Sequence, residues 1–382
     1  LNIELLINNY SSNEFDSRFR GIIQDIKLQS PLILIQGGYG KRNTGDDALL
    51  LVIYNKVKEI VPNSRVVALC HFPDDISKRY QIEAYHFAEK KAIYLLFKAD
   101  MLIIGGGGIV NKINTFSGLK SFRIFDPKGK YLFLTSLLMK LRGKKAVFYV
   151  VGITSIPDAG VRYLMKLVLP KADLIGVRDV MSLGLLKELK LDKGVILCHD
   201  PALNLPAAPE SDAIELLANY NVNIKNDELI GINVRQVQNE ETNQKTIKEM
   251  VLLVDKLTES NNRIKIIFFP IGMHPTKPLE NDLIIGRQIA KNIKNKERFI
   301  LLDEYYSPML TKALLGKMKI LILSRLHSLI LSCEYKIPTI IITYDDKVTQ
   351  FGQMAGYDKI IPLEEINSDG IIRIIREDLR VG

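Results

Sequence analysis

The chain has 382 residues, long for one hydrophobic core and comfortable for two. A 47% hydrophobic share with 25% charged residues excludes a disordered chain, and the apolar runs are strand-sized, which argues against a membrane-spanning helix. A net charge of +9 points to an anionic partner, but the lysines are dispersed and form no aromatic-interleaved stripe, so nucleic acid is not expected.

Cys70, Cys198 and Cys333 lie far apart, which argues against a disulfide framework or a zinc site. The five histidines show no ligand spacing, so no metal is expected. The first twenty residues lack a signal-peptide pattern, and a reducing, cytoplasmic compartment is expected.

In chain order, short β-branched runs alternate with helical periods, the signature of a mostly parallel sheet. Strands are expected at Leu32 to Gln36, Arg65 to Cys70, Met101 to Ile104, Ala146 to Val151, Leu174 to Val177 and Val195 to Cys198. Helices are expected at Asp46 to Ile60, Lys130 to Leu141 and Gly160 to Leu169. The stretch Asn204 to Asp212 reads as a linker, and a second alternating series follows. Its strands are expected at Leu229 to Val234, Ile264 to Phe269, Phe299 to Leu302, Ile320 to Leu323 and Thr339 to Thr343. The expected architecture is α/β: two Rossmann-like, doubly wound domains, 1–207 and 208–382, facing across a cleft. Ligands then belong beyond the carboxyl ends of the strands.

Several motifs sit on such ends. Gly37, Gly38 and Gly40 form a loop that leads into a helix opening with Asp46 and Asp47. Those carboxylates would repel a bound phosphate, so hydrogen bonding to sugar hydroxyls, or deprotonating one, suits them better. Gly105 to Gly108, with Gly106 and Gly107 at the centre, repeats the strand-then-glycine scheme. Arg178 directly follows a strand, where it can clamp an anion or pair with Asp179. Gly272 and His274 end a strand of the second half. In Ser324-Arg325-Leu326-His327, Ser324 is expected to cap a helix whose first turn offers Arg325 and His327 to an anion, and Lys347 adds a cation from the neighbouring strand end. Plainer readings stand beside these: helix-start aspartates, a tight βα turn, a locally paired arginine and a core imidazole.

These blocks, "GGYGKRNTGDDALL", "IIGGGG", "GVRDVMS" and "SRLHSLILSCEYKIPTIIITYDDKVTQFGQMAGY", resemble the polysaccharide pyruvyl transferase family in order along the chain. The resemblance implies a glycosyltransferase-B-like fold, with phosphoenolpyruvate as donor and a sugar of a polysaccharide or lipid-linked oligosaccharide as acceptor. It implies a pyruvate ketal as product, release of phosphate and no further cofactor. It makes Arg178 and Arg325 donor-binding, Leu326 and His327 the rest of the second motif, and Lys347 the lysine of Y-D-x-K. On that chemistry His327 is the expected general acid or phosphate partner, and Asp46 or Asp47 orients or deprotonates the acceptor. A lipid-linked acceptor would set the protein at the inner membrane face, with peripheral contact; the basic, apolar segment Gly129 to Lys145 would suit a membrane surface, but an ordinary buried helix with a basic end is the favoured reading. Two departures stand out: an acidic pair ending in Asp rather than Glu, and Lys336-Ile337 before Pro338 where the family often has glycine.

Two rivals remain at this stage. Glu334 followed by Pro338 faintly resembles the element that holds a nucleotide ribose in nucleotide-sugar glycosyltransferases. A non-catalytic anion- or glycan-binding protein is the other. Neither the acceptor sugar nor the oligomeric state is written in the sequence.

Overall fold

The structure is a computed structural model that describes residues 10–110, 127–154 and 159–379. The chain divides into two compact units. One holds the described residues up to Lys41 together with Asp46–Asn204; the other holds residues 42–45 and the chain from Leu205 onward. The stretch read as a linker is anchored in the second unit. There Leu205 and Ala208 are bound through their backbones to Lys312 and Met309, and a helix has already begun at Glu210.

The first unit is built on β1 (Leu32–Gln36), β2 (Arg65–Cys70), β3 (Glu83–His86), β4 (Met101–Gly105), β5 (Gly108–Val110), β6 (Lys145–Ile153), β7 (Leu174–Val177) and β8 (Val195–Leu197). Their order is β3-β2-β1-β4-β6-β7-β8, with β5 added to β6, and the ladders are parallel. Ile33, Leu34 and Ile35 are fully buried, as a central strand covered by helices on both faces requires. At β6 the register against β7 slips between Phe148 and Val151, and Val150 has φ 50°. A β-branched residue in that region marks a bulge, which re-aims the end of β6 and Gly152.

The second unit contains β9 (Glu228–Asn233), β10 (Ile264–Phe268), β11 (Phe299–Leu301), β12 (Ile320–Leu323), β13 (Thr339–Thr343) and β14 (Ile360–Pro362). The order is β11-β10-β9-β12-β13-β14, again parallel. The Glu240–Ser260 helix starts on Asn239, whose side chain accepts from the Thr242 amide. It buries Ile247, Met250, Leu253, Val254 and Leu257 against this sheet at helical spacing. Both sheets therefore reverse strand order next to their first strand: between β1 and β4, and between β9 and β12. That is where an open α/β sheet leaves a crevice for ligands.

Candidate active site

At the reversal of the second sheet, Leu323 pairs with Asn233, so the chain leaves β9 at Val234-Arg235 beside the point where it leaves β12 at Ser324-Arg325. A buried polar hub fixes both exits. Asp282, fully buried at the start of the Asp282–Asn292 helix, accepts hydrogen bonds from the Ile271 and Gly272 amides at 3.1 and 3.0 Å and from Asn233 Nδ2. It also takes the Arg325 guanidinium through Nε, 3.0 Å away, and through Nη2. Asn233 Oδ1 in turn accepts the Arg325 amide. Burial disfavours the charged guanidinium, but Asp282 outweighs it and the net shift of Arg325 is upward. Arg325 is thus a locked, permanently charged group whose partner lies 43 residues earlier in the chain. Among the described residues its Nη1 makes no hydrogen bond.

Ser324 does not cap. The strand pairing runs on through its amide to the Asn233 carbonyl, so the helix, Leu326–Ser332, starts a residue later with Arg325 in the N-cap position. The Ser324 hydroxyl is buried and has no hydrogen-bond partner among the described residues, an arrangement that calls for a water or ligand.

Arg235 was not singled out from the sequence. It is half-buried and stacks on Tyr344, its Cζ 4.6 Å from the ring centroid, and it donates to the Tyr344 hydroxyl and to the Gln236 and Leu279 carbonyls. All of these acceptors are neutral, and Arg235 forms no ion pair among the described residues. The readable signal was its position directly after an apolar run, the same signal that marked Arg178. Lys347 is anchored differently: Asp345 caps its helix and lies 3.0 Å from its ammonium. Buried His274 accepts the Thr276 amide at Nδ1, which leaves Nε2 as the protonated nitrogen of the neutral ring, 3.9 Å from Glu280.

Residues 42–45, which follow the first glycine loop in sequence, belong to this unit. Arg42 and Thr44 bracket an antiparallel bridge between Asn43 and Gly272, with Thr44 donating to the Ile271 carbonyl and Arg42 accepting from the Met273 amide. Gly45, which follows, lies directly against the half-buried His327; a Cβ there would overlap the imidazole. Two motifs more than 280 residues apart in sequence thus meet at His327.

At the reversal of the first sheet the side chains are of another kind. Gly106 and Gly107 have φ +70° and +76°, and a Cβ on Gly107 would stand 2.8 Å from Asp46 Oδ1. Gly38 faces the other oxygen of the same half-buried carboxylate. Tyr39 seals Gly37 beneath its ring and donates to the Gly105 carbonyl at 2.6 Å. Asp47 is fully buried, and it accepts from the Gly40 amide at 3.1 Å and the Tyr80 hydroxyl at 3.0 Å.

Arg178, after β7, is buried between Asp200 at 3.3 Å and Asp179 at 3.5 Å, and Gly152 leaves room for its Nε. Burial, then Asp179 and Asp200, pushes the Tyr10 hydroxyl up to about 12. Acceptor choice is expected to depend on loops of the first half such as Lys112 to Lys128, and that loop falls almost wholly outside the described residues.

A family model described as "Polysaccharide pyruvyl transferase" matches residues 43–346. No curated protein matched the sequence. Among solved structures, a UDP-N-acetylglucosamine 2-epimerase is 12% identical with a TM-score of 0.58, covering 92% of this chain and 87% of its own. The ADP-heptose lipopolysaccharide heptosyltransferase II of E. coli is 11% identical with a TM-score of 0.52, covering 91% and 98%. The UDP-bound MnaA of S. aureus is 11% identical at 0.51, covering 92% and 98%. The chain accordingly has the glycosyltransferase-B fold of two parallel-sheet α/β units, and among the described residues no helix is long and apolar enough to cross a membrane.

Proposed function

The chain belongs to the polysaccharide pyruvyl transferase family, and from that premise we propose that it moves the pyruvyl group of phosphoenolpyruvate onto two hydroxyls of a glycan sugar, forming a ketal and releasing phosphate. The observation that carries the donor assignment is Arg235, held by neutral acceptors, beside the locked Arg325 and the Ser324 hydroxyl, which has no partner among the described residues, at the β9/β12 reversal. A donor with a carboxylate and a phosphate needs two anion clamps, and planar guanidinium groups suit both.

In the proposed reaction His327 protonates C3 of the enol, which makes C2 electrophilic. The first hydroxyl oxygen bonds to C2 and gives its proton to Asp46, the residue after Gly45. The second hydroxyl then replaces the phosphate at C2, its proton leaves with the phosphate, and the proton held by Asp46 returns through solvent to restore His327. Lys347 accompanies the departing phosphate, its pull tempered by Asp345. Asp47, with one oxygen engaged by the loop and the other by Tyr80 of the Pro73–Tyr80 helix, holds Asp46 in place rather than taking a proton. Arg178, flanked by two carboxylates, attracts an anion less strongly than Arg235, so we assign it to shaping the β7 exit.

A nucleotide-sugar transferase would need Glu334 for the ribose, but that carboxylate is 2.9 Å from the ammonium of buried Lys312, which counts against the rival. The test is incubation with phosphoenolpyruvate and a panel of glycans, read by mass spectrometry and phosphate release. A product heavier by one pyruvate ketal, with stoichiometric phosphate, is expected. Thermal stabilisation by UDP or ADP but not by phosphoenolpyruvate, with no ketal formed, overturns the reading; a saturating ligand at a hundred times its Kd adds about 2.7 kcal/mol.

A further inference from the structure

Three consecutive helices of the first unit, Lys90–Lys98, Pro127–Leu141 and Ala159–Val168, contain Lys and Arg but no Asp or Glu. The three helices that precede them, Ser12–Gln24, Thr44–Ile60 and Pro73–Tyr80, all carry acids. The acid-free helices pack on one hydrophobic cluster through Ala92, Leu95, Leu96, Phe133, Met139 and Met165, so they cover the same face of the sheet. Their outward side chains are apolar to an unusual degree: Tyr94 is 54% exposed, Phe97 49%, Leu141 75% and Tyr163 67%.

Cations frame these groups. Lys91 and Lys98 lie 5.7 and 5.9 Å from the centre of the Tyr94 ring, and Arg142 lies 5.8 Å from that of Phe97. Arg142 also donates to the Leu96 carbonyl, which joins the end of the second helix to the first. None of Lys91, Lys98, Arg142, Arg162 or Lys166 pairs with a carboxylate among the described residues. The nearby Asp100 and Asp173 are engaged by Lys144 and Lys140, and exposed Glu89 stands at the edge of the layer.

We propose that the outer surface of these three helices is a docking surface for an anionic lipid bilayer. Exposed aromatic and leucine side chains set among unpaired cations match the headgroup region of a bilayer, where rings lie at the interface, leucines reach the acyl boundary and lysine stems snorkel to the phosphates. A polyanion alone would reward the cations and leave Leu141 and Tyr163 unexplained, whereas anionic lipid uses both. The proposal goes beyond the transfer reaction and is independent of the donor.

The test uses the full chain. The sequence contains no Trp, so Tyr94→Trp places a single fluorophore in the surface, and Leu252→Trp places one on the exposed face of the Glu240–Ser260 helix in the other unit. Addition of vesicles of equal phosphatidylcholine and phosphatidylglycerol is expected to shift the Tyr94→Trp emission to the blue and leave Leu252→Trp unchanged. In co-sedimentation with the same vesicles, Lys91→Glu/Lys98→Glu should lose at least about tenfold in affinity. Lys248→Glu/Lys291→Glu, with the same net charge, should bind as the unsubstituted protein does. Absence of a blue shift, equal losses in both double variants, or binding to heparin that the two aromatic-to-serine changes Tyr94→Ser and Phe97→Ser leave as weak or strong as vesicle binding overturns the proposal.

Discussion

The two sheets reverse strand order in the same way, and each reversal is pinned by one fully buried aspartate, yet the two aspartates hold different things. Asp47 accepts from the Gly40 amide and the Tyr80 hydroxyl. Asp282 is satisfied partly by two amides and partly by the guanidinium of Arg325. Around the first, Gly38 and Gly107 leave the backbone open beside a second carboxylate, Asp46, with the Lys41 ammonium close to the same Gly38. Around the second, Arg235 adds a positive charge that forms no ion pair among the described residues. One topology thus yields two differently furnished sites, because the strand order makes only the crevice and the residues after each strand decide what it accepts.

The largest effect should come from breaking the cationic side. Arg325→Ala leaves Asp282 charged, buried and unpaired, and should cost about 3–5 kcal/mol in chemical denaturation. Arg235→Ala removes a half-buried group with neutral partners and should cost on the order of 1 kcal/mol, but should raise the KM for phosphoenolpyruvate at least about tenfold. If the two variants lose stability equally, the distinction between a locked arginine and an available one fails.

The acidic side makes the complementary division. Asp47→Ala should destabilise by about 1–3 kcal/mol, since it strands the Gly40 amide and the Tyr80 hydroxyl. Asp46→Asn, at a half-buried position, should leave the melting temperature nearly unchanged while lowering kcat by about 10²–10⁴. A reversed pattern would hand the acceptor role to Asp47.

How much of this was readable beforehand depended on the distance over which each interaction is made. β1, β2, β7, β12 and β13 stood out with their observed limits because each is a continuous apolar run bounded by turn residues. β3 and β14 did not: "EAYH" is only half-buried and "IIP" ends in proline, both features of sheet edges, and β5 hides in the tail of the glycine loop. Arg325 was visible as a charge in an apolar stretch, but Asp282 was not, because only the fold brings a helix start to a residue 43 positions later. The same holds for Gly45 beside His327, whose motifs sit at opposite ends of the chain.

The cores should differ less than the sites, and their thiols measure that. Burial pushes Cys70, Cys198 and Cys333 each up to about 12, so the thiols stay protonated in the folded protein when those of the unfolded chain ionise. The folded pKa is raised, so their stabilising contribution is complete below about pH 8.5 and is lost as the pH rises towards 12. Near pH 10 each thiol should cost about 2 kcal/mol relative to neutral pH. Cys70 and Cys198 lie in the first unit and Cys333 in the second. Alkaline unfolding followed by hydrogen exchange should therefore loosen the first unit before the second, and Cys198→Ser should narrow the gap.

The smallest expected effect concerns Lys336, which takes φ 54° just after the Cys333–Tyr335 turn. That is the left-handed region a glycine would occupy, which is how this chain makes the turn without one. The strand that follows, β13, leads to Tyr344 and Lys347, so the turn sets the approach to the cationic site. Lys336→Gly relieves the strain at the expense of a more flexible unfolded chain, and the balance should be a gain of on the order of 0.5 kcal/mol. Turnover should not change if the turn serves only to connect the elements. A drop in kcat with a higher melting temperature would instead mean that the strained backbone tunes the position of Tyr344 under Arg235, making it part of the positive site rather than a neutral connection into it.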